Sequence, residues 1–283
     1  MCRVEPSRVE DSLRPLYREL AEFYEKIEER DYEAEISLID KILRRHRVKS
    51  LIDLGCGTGL HVRELARRGY NGLGIDISPA MIRIAKRRAQ GLKNARFITA
   101  DYYSYRPASR FDGALCLNWS IPVALRDVDR FFSNVSRLLK EGGVLIIDYE
   151  KPGDIVWSDV GRPIIDSWSF KDGLIVRVSV GQIRRRVMRS RDVYIVFGRA
   201  KGFRPPREKE RYLGRWRDVN VAAFLDISHV RFYEPKELER IAHRHGFASL
   251  KILSLKTRRG YRRLYNIFIK SGKRDSVNTQ RGV

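Results

Sequence analysis

The chain has 283 residues, a hydrophobic content of 43% and a formal net charge of +22. This length suits one large domain or one domain with an insertion, and the hydrophobic content is ample for a buried core. No apolar run reaches membrane-spanning length, and residues 1–6 lack the apolar region of a secretory signal. Cys2, Cys56 and Cys116 are too far apart for a paired metal site. We therefore expect a cytoplasmic protein with free thiols and no bound metal.

The excess of positive charge has two interpretations. It is typical of proteins that bind a polyanion such as RNA, because Lys and Arg neutralise phosphates. The high fraction of charged residues, 33%, is also typical of proteins from hot environments. Charge bears on association and not on fold, so both interpretations stay open.

Helical periodicity opens the chain. Apolar residues recur at helical spacing from about residue 12 to 45, Leu16, Leu20, Ile36 and Ile39 among them. This periodicity predicts N-terminal helices within residues 12–45.

Strands and helices then alternate. The predicted strands are 50–54, 72–76, 96–100, 111–117 and 144–149, and the predicted helices are 58–68, one that begins at Pro79 with Ser78 as its cap, and 127–140. Such alternation predicts an α/β fold whose parallel sheet has helices on both faces.

The alternation of strands and helices ends after residue 150. Residues 151–225 offer β-rich runs at 173–180, 183–188 and 192–197, followed by a polar loop at 201–217, which together predict an antiparallel insertion. In the basic run 184–191, alternation would place Arg185, Val187 and Arg189 on one face and Arg184, Arg186 and Met188 on the other. A helix at 234–245 and strands at 249–255 and 263–270 complete the predicted fold, and the polar tail 271–283 is expected to be flexible.

The most informative segment joins the first strand to its helix. The strand Leu51–Leu54 runs directly into Gly55, Gly57 and Gly59. A sharp turn from a strand into a helix N-terminus points backbone N–H groups outward, and glycine lets a ligand approach them closely. Asp76 follows about 20 residues later, the spacing of an acid that binds ribose hydroxyls. The segment predicts the binding loop of a Rossmann-like domain.

In their order along the chain, these motifs resemble those of class I S-adenosylmethionine-dependent methyltransferases. Asp76 matches the ribose-binding acid of that family, Asp101 the acid that binds the adenine amino group, 111–118 its fourth strand and 138–145 its glycine-led fifth strand. The resemblance implies a Rossmann-like seven-stranded sheet with S-adenosylmethionine as cofactor. The cofactor-binding residues that it implies are Tyr17, Asp53, Gly55, Cys56, Gly57, Gly59, Asp76, Ile77, Met81, Asp101, Tyr102, Leu117 and Asn118.

The N-terminal part resembles one subgroup, methyltransferase domain 25-like proteins with mostly small-molecule acceptors and many archaeal members. The residues that carry this resemblance are Tyr17, Ala21 and Tyr24, together with the start of the predicted helix at 232–238. In that subgroup the first tyrosine tends to cover the cofactor, whereas Tyr24 is equally compatible with core packing. The chain departs from the pattern at Glu25, where an Asp is usual. The implied domains are an N-terminal helical cap (1–48), a cofactor-binding core (49–150 and 226–270), an acceptor lid or platform (151–225) and a tail (271–283).

Methyl transfer from a sulfonium is an in-line displacement that depends on a dry, positioned encounter, so neither a metal nor a nucleophilic triad is required. Asn118 falls beside the reactive methyl in the resembled family, and the aromatic rings of Trp119 and Tyr102 are candidate neighbours of the sulfonium. His229 is a candidate general base, with a packing role as the alternative. The sequence from Asn118 lacks the double proline of enzymes that methylate amino groups of nucleic acids.

Two basic clusters lie at 184–191 and 256–263. Each is either a solvated edge that discourages strand pairing or a site for an acidic acceptor: RNA phosphate, phospholipid or a phosphorylated metabolite. The leading hypothesis is a methyltransferase acting on a small-molecule N or O acceptor. The alternatives are an RNA methyltransferase and a non-catalytic interaction module with the same fold.

Overall fold

The computed structural model describes residues 14–28, 30–118, 128–149, 159–171, 173–198, 212–216, 219–256 and 262–271. The chain divides into two compact units. We call Met1–Glu29 with Ile155–Arg231 the insertion unit, and Arg30–Asp154 with Phe232–Val283 the core unit. The segment 1–48, predicted as one cap, is therefore shared between the two units. No helix within the described ranges is long and apolar enough to cross a membrane.

The N-terminal segment is less regular than predicted. Residues 14–28 form two short 3-10 turns, Pro15–Tyr17 and Ala21–Phe23, and a one-turn helix α1 (Tyr24–Ile27). A new helix, α2 (Tyr32–Arg45), begins at Asp31, whose Oδ1 accepts a hydrogen bond of 3.2 Å from the backbone N–H of Ala34. This side-chain cap satisfies a free helix N–H and starts α2 separately. The predicted helical periodicity over 12–45 is thus divided: its second part forms α2, whereas residues 14–28 form short turns and one helical turn.

The remaining elements follow in chain order. They are β1 (Ser50–Leu54), α3 (Leu60–Arg67), β2 (Asn71–Asp76), α4 (Pro79–Arg88), β3 (Ala95–Thr99), β4 (Phe111–Cys116), α5 (Val128–Leu138), β5 (Leu139–Tyr149), β6 (Pro163–Phe170), β7 (Gly173–Arg184), β8 (Val187–Gly198), β9 (Tyr212–Trp216), β10 (Val219–Arg231), α6 (Pro235–Arg244), β11 (Phe247–Lys256) and β12 (Arg262–Lys270).

The core unit is built on a seven-stranded sheet of order β11-β12-β5-β4-β1-β2-β3. Strands β1 to β5 pair in parallel, and β12 is antiparallel to both β5 and β11. Apolar side chains of α5 and α6 pack against one face of the sheet, and those of α2, α3 and α4 pack against the other. The predicted α/β fold with a Rossmann-like seven-stranded sheet is confirmed. Its parallel strands end at one edge, where ligand sites of such sheets form.

The insertion unit holds an antiparallel sheet of order β6-β7-β8-β10-β9. One face buries Trp168, Tyr194 and Phe224 together with Leu16 and Leu20 of the N-terminal segment. The predicted antiparallel insertion is confirmed. Its polar loop was placed at 201–217, but β9 occupies Tyr212–Trp216.

One predicted strand of the insertion is wrong. Residues 183–188 are not a strand, because β7 ends at Arg184 and β8 begins at Val187. Arg185 and Arg186 form the hairpin turn between them, with φ of 50° and 63°. Two successive left-handed residues match the right-handed twist of the flanking strands. The sequence concealed this turn because it carries neither the glycine nor the asparagine that such turns favour.

A buried ion pair links the N-terminal segment to this sheet. Arg14 donates from Nε and Nη2 to the two carboxylate oxygens of Asp226, at 2.9 and 2.6 Å. Asp226 is fully buried and faces Asp192 across β8 and β10. Two acids side by side repel each other, so the bidentate guanidinium stabilises this arrangement.

Candidate active site

The glycine loop turns over the end of β2. The backbone N–H groups of Gly55 and Cys56 both donate to the carbonyl oxygen of Ile75, at 2.9 and 3.0 Å. Gly55 and Gly57 have φ of 80° and 54°, in the left-handed region that glycine enters without a steric penalty. The loop therefore lies at the carboxyl edge of the central strands.

Asp76 holds the loop from the neighbouring strand. Its Oδ2 accepts from the backbone N–H of Gly57 at 2.9 Å, and its Oδ1 accepts from the backbone N–H of Ser78 at 2.8 Å. Burial raises the pKa of this carboxyl above its ordinary value, and the two backbone donors oppose that shift. A carboxylate offers about four acceptor positions, so two oxygens held in this way can still accept from a pair of hydroxyls.

The third glycine of the loop has a packing role. A Cβ on Gly59 would lie 2.5 Å from Cε1 of Phe97 and 2.9 Å from Cβ of Ala85. Gly59 also has φ +77° and caps the start of α3. Its absent side chain lets α3 approach β3 and α4, which is the part a third glycine plays in dinucleotide-binding turns.

Cys56 lies in the same packed layer. Its Sγ would be 2.7 Å from a Cβ on Gly74, so the glycine in β2 makes room for the thiol. Burial raises the pKa of Cys56 well above its ordinary value. The side chain is therefore an inert thiol, and only the backbone of Cys56 belongs to the turn.

Asp101 follows β3 at the same edge of the sheet. The backbone N–H of Ala100 donates to the carbonyl oxygen of Asp76 at 2.9 Å, which brings the ends of β2 and β3 together. Asp101 Oδ1 accepts from the backbone N–H of Tyr103 at 3.0 Å and so forms a tight turn. The ring of Tyr102 packs 4.7 Å from that of Tyr103, measured between centroids. The predicted ribose and adenine acids thus come from adjacent strand ends.

The other predicted contacts differ in exposure. Met81 and Leu117 are buried in the core, whereas Ile77 is partly exposed next to Asp76. Asn118, directly after β4, has φ +59°, an uncommon conformation for a residue other than glycine. Its Oδ1 lies 3.5 Å from Nη1 of Arg263. Strain of this kind is concentrated at functional sites, so it supports Asn118 as a site candidate.

Two predicted residues belong to the insertion unit. Tyr17 packs beneath Arg14, whose guanidinium carbon lies 4.7 Å from the ring centroid. His229 lies on β10 opposite Arg189. Their proposed contacts, with cofactor and acceptor respectively, stay predictions. Trp119, the suggested neighbour of the sulfonium, lies outside the described residues.

A buried ionic cluster at the carboxyl edge was missed by sequence reasoning. We call it the Glu35 cluster; its members are Arg30, Glu35, Asp53, His61, Asp148, Arg263 and Tyr265. Glu35 accepts from Arg30 Nη2 at 2.5 Å and from the Tyr265 hydroxyl at 2.9 Å, and it lies 3.3 Å from His61 Nε2. Asp148 Oδ2 accepts from Arg30 at 3.1 Å and from Arg263 at 2.9 Å. Asp53 Oδ2 lies 4.0 Å from His61 Nδ1.

The cluster shifts its members' ionisation in opposite directions. Burial would raise the pKa of Glu35, but Arg30 and His61 lower it to about 2. Burial raises the pKa of Asp53 to about 6, with repulsion from Asp76 contributing. The pKa of His61 is raised because Glu35 and Asp53 outweigh its burial. Two arginines face three carboxylates, so a protonated His61 brings these charges into balance.

The sequence carries a faint signal for this cluster. Asp148 interrupts the apolar strand Val144–Tyr149, and Glu35 occupies the apolar face of α2 with Ile36 and Ile39. A charged residue at an otherwise apolar position usually has a buried partner. These partners could not all be identified from the sequence, because Tyr265 is 230 residues from Glu35 and Arg263 is 115 residues from Asp148.

Comparison with known proteins agrees with this geometry. Residues 51–143 match the family described as methyltransferase domain. This segment is therefore similar to methyltransferase domains. The match begins in β1, includes the glycine loop, Asp76 and Asp101, and ends within β5. The predicted resemblance is confirmed for the stretch that carries the motifs.

Curated relatives align over the same part of the chain. A glycine/sarcosine N-methyltransferase from Parasynechococcus marenigrum is 30% identical over 127 residues, 41% of this chain and 43% of that protein. A dTDP-3-amino-3,6-dideoxy-alpha-D-glucopyranose N,N-dimethyltransferase from Streptomyces fradiae is 33% identical over 108 residues, 36% of this chain and 41% of that protein. The chain thus spans less than half the length of these relatives.

Solved structures resemble a larger part of the chain. The sugar N-methyltransferase from Streptoalloteichus sp. has a TM-score of 0.70 at 23% identity, covering 96% of this chain and 99% of that one. A S-adenosylmethionine-dependent methyltransferase from Clostridium acetobutylicum has a TM-score of 0.70 at 20% identity, covering 89% and 98%. At these identities the likenesses establish the fold alone.

Proposed function

We propose that the chain is an S-adenosylmethionine-dependent methyltransferase that acts on a small-molecule N or O acceptor. One observation carries the proposal: within a methyltransferase domain, Asp76 fixes the glycine loop through Gly57 and presents its carboxylate at the end of β2. Intact binding residues also argue against a non-catalytic interaction module.

The residues at the sheet edge fit the cofactor. Gly55 and Gly57 carry no Cβ and would accept the methionine part against their backbone. Asp76 keeps acceptor capacity for the ribose hydroxyls after its two backbone hydrogen bonds, and Asp101 would bind the adenine amino group. The buried Oδ2 of Asp53 makes no hydrogen bond within the described part of the chain, so it is a further acceptor at this edge. When bound, the cofactor supplies a methyl group on a sulfonium.

The chain's own residues would act by binding and orientation. Asp76 and Asp101 would fix the two ends of the nucleoside, which sets the direction of the methyl group toward the end of β4. Asn118, held by its strained backbone, would present its amide at that point. Positioning of this kind is the main source of the rate acceleration in an in-line displacement. A general base is needed only where the acceptor must lose a proton, and His229 stays the candidate for it.

The small-molecule acceptor is supported by the named relatives. Those aligned in sequence act on glycine, sarcosine and an amino sugar nucleotide, according to their names. The sugar N-methyltransferase of similar fold covers nearly the whole chain, including the part that holds the second sheet. An RNA acceptor is the second candidate, because the net charge is +22 and exposed arginines cover the hairpin Arg184–Arg191.

Cofactor binding tests the first half of the proposal. Asp76→Ala is expected to weaken S-adenosylmethionine binding about 100-fold, since two hydrogen bonds to a charged group contribute roughly 1.5 kcal/mol or more each. Isothermal titration calorimetry measures the affinity. Asp129→Ala, a surface acid on α5, is the matched control and should bind as the wild type does. Unchanged affinity of Asp76→Ala would refute the assigned ribose acid.

Transfer of label tests the acceptor. The protein is incubated with methyl-labelled S-adenosylmethionine and a fractionated cell extract, with and without ribonuclease. Label in the low-molecular-weight fraction supports the proposal, and ribonuclease-sensitive label would replace it with the RNA candidate. Cofactor binding without transfer to any fraction would favour the interaction module.

A further inference from the structure

The insertion sheet has a second face, opposite the one on which Leu16 and Leu20 pack. Strand register places Ile165, Val178, Val193 and Leu225 in one row across β6, β7, β8 and β10. Alternate residues on each side extend this row, because side chains on one face recur every second residue. We call the resulting surface the outer apolar patch; it comprises Ile165, Val176, Val178, Val180, Val193, Ile195, Ala223, Leu225 and Ile227.

The outer apolar patch is exposed. Ile165 is 69% exposed, Leu225 59%, and Val193 and Ile227 each 37%. Nine positions, each about 4.8 Å by about 7 Å, cover about 300 Å². A contiguous apolar surface of about this size is among the largest on a typical monomer and is often functional.

Arginines border the patch on one side only. Arg184, Arg189, Arg191 and Arg231 share its face by register, and Arg185 and Arg186 form the adjoining turn. All six side chains are exposed. No acidic residue occupies this face at the described side-chain positions of β6, β7, β8 and β10. The surface is therefore apolar in its centre and strongly positive at one end.

We propose that this face docks on an anionic lipid surface. Apolar rows buried at the boundary between headgroups and acyl chains, with arginines against lipid phosphates, give the two attractions on which peripheral binding depends. RNA fits less well, because bases stack on aromatic rings and this face carries only two at its described positions, Phe197 and His229, at opposite ends of the patch. A second copy fits less well too, since about 300 Å² is less than half of the roughly 800 Å² that a stable dimer buries per partner. The proposal does not depend on the identity of the methyl acceptor, although the candidate base His229 lies on the same face, opposite Arg189.

Vesicle co-sedimentation tests it. The full chain is expected to bind vesicles of phosphatidylglycerol and phosphatidylcholine, and to bind pure phosphatidylcholine vesicles far more weakly. Arg189→Gln/Arg191→Gln should weaken binding roughly 30-fold, about fivefold per arginine. Arg83→Gln/Arg137→Gln removes the same charge from exposed helix positions of the core unit and should bind nearly as the wild type does. If the two double variants lost the same vesicle affinity, the effect would depend on net charge alone, and the proposal would be overturned.

The apolar contribution is tested without changing charge. Leu225→Gln should weaken vesicle binding more than tenfold, whereas Leu250→Gln, at a leucine 48% exposed on β11, should not. Circular dichroism melting verifies that each variant folds. Light scattering in the absence of lipid measures the oligomeric state and so tests whether a second copy occupies the patch. A dimer that Leu225→Gln dissociates would assign the patch to a second copy and overturn the proposal. Binding of an RNA oligonucleotide that vesicles do not displace, or no vesicle binding at all, would also overturn the proposal.

Discussion

Replacing Gly59 by alanine tests the packing role assigned to the third loop glycine. The new Cβ would occupy a left-handed residue and lie 2.5 Å from Cε1 of Phe97. The backbone conformation costs about 1–2 kcal/mol for a residue with a Cβ. Overpacking of the buried ring adds about 1–3 kcal/mol. We expect Gly59→Ala to lower the free energy of unfolding by about 2–5 kcal/mol, the sum of the two effects, as measured by urea denaturation.

Gly69→Ala separates the two contributions. Gly69 has φ +98°, but no atom lies within 4 Å of the position its Cβ would take. This variant should therefore lose only the conformational part, about 1–2 kcal/mol. In a Phe97→Leu background, the penalty for Gly59→Ala should shrink because the nearest ring atoms are gone. A penalty at Gly59 no larger than at Gly69, or one insensitive to Phe97→Leu, would refute the packing argument.

Two buried ion clusters give further predictions. Glu35→Gln should lower the free energy of unfolding at pH 7 by about 3–5 kcal/mol, because it leaves Arg30 and His61 short of a buried carboxylate. Since the pKa of Glu35 is lowered to about 2, its stabilisation is complete above about pH 4.3 and lost toward pH 2. Urea midpoints of wild type and variant should converge in acid, and a constant gap would contradict the shift. Arg14→Met should lower the free energy of unfolding by a similar amount, because it leaves the Asp226 carboxylate unpaired in an apolar environment. The double variant Arg14→Met/Asp226→Leu should recover most of that loss. Additive losses in the double variant would contradict the pairing.

The core of the fold could be predicted because its signals are local. Buried parallel strands appear as short apolar runs, and the glycines of the loop mark a turn that no other residue makes cheaply. The acids Asp76 and Asp101 follow those runs directly, so their shared edge follows from topology.

The remainder could not be predicted because its causes are tertiary. Arg185 and Arg186 adopt a turn against local preference, and the twist of β7 and β8 imposes it. Tyr265, which is one of the partners of Glu35, and Arg14, which pairs with Asp226, each lie more than 200 residues away in sequence. Sequence spacing carries no information about contacts of this separation.

The interrupted course of the chain through both units has a consequence for folding during synthesis. Strand β5 lies inside the core sheet only after β12 pairs with it, Ile147 opposite Asn266 and Leu145 opposite Phe268. At about 5–20 residues per second, the ribosome needs roughly 10 s to make the stretch between them. Throughout that interval β5 is an open edge, and the insertion strands emerge beside it with unpaired edges of their own. The nascent chain therefore passes through an aggregation-prone interval that the finished protein does not show.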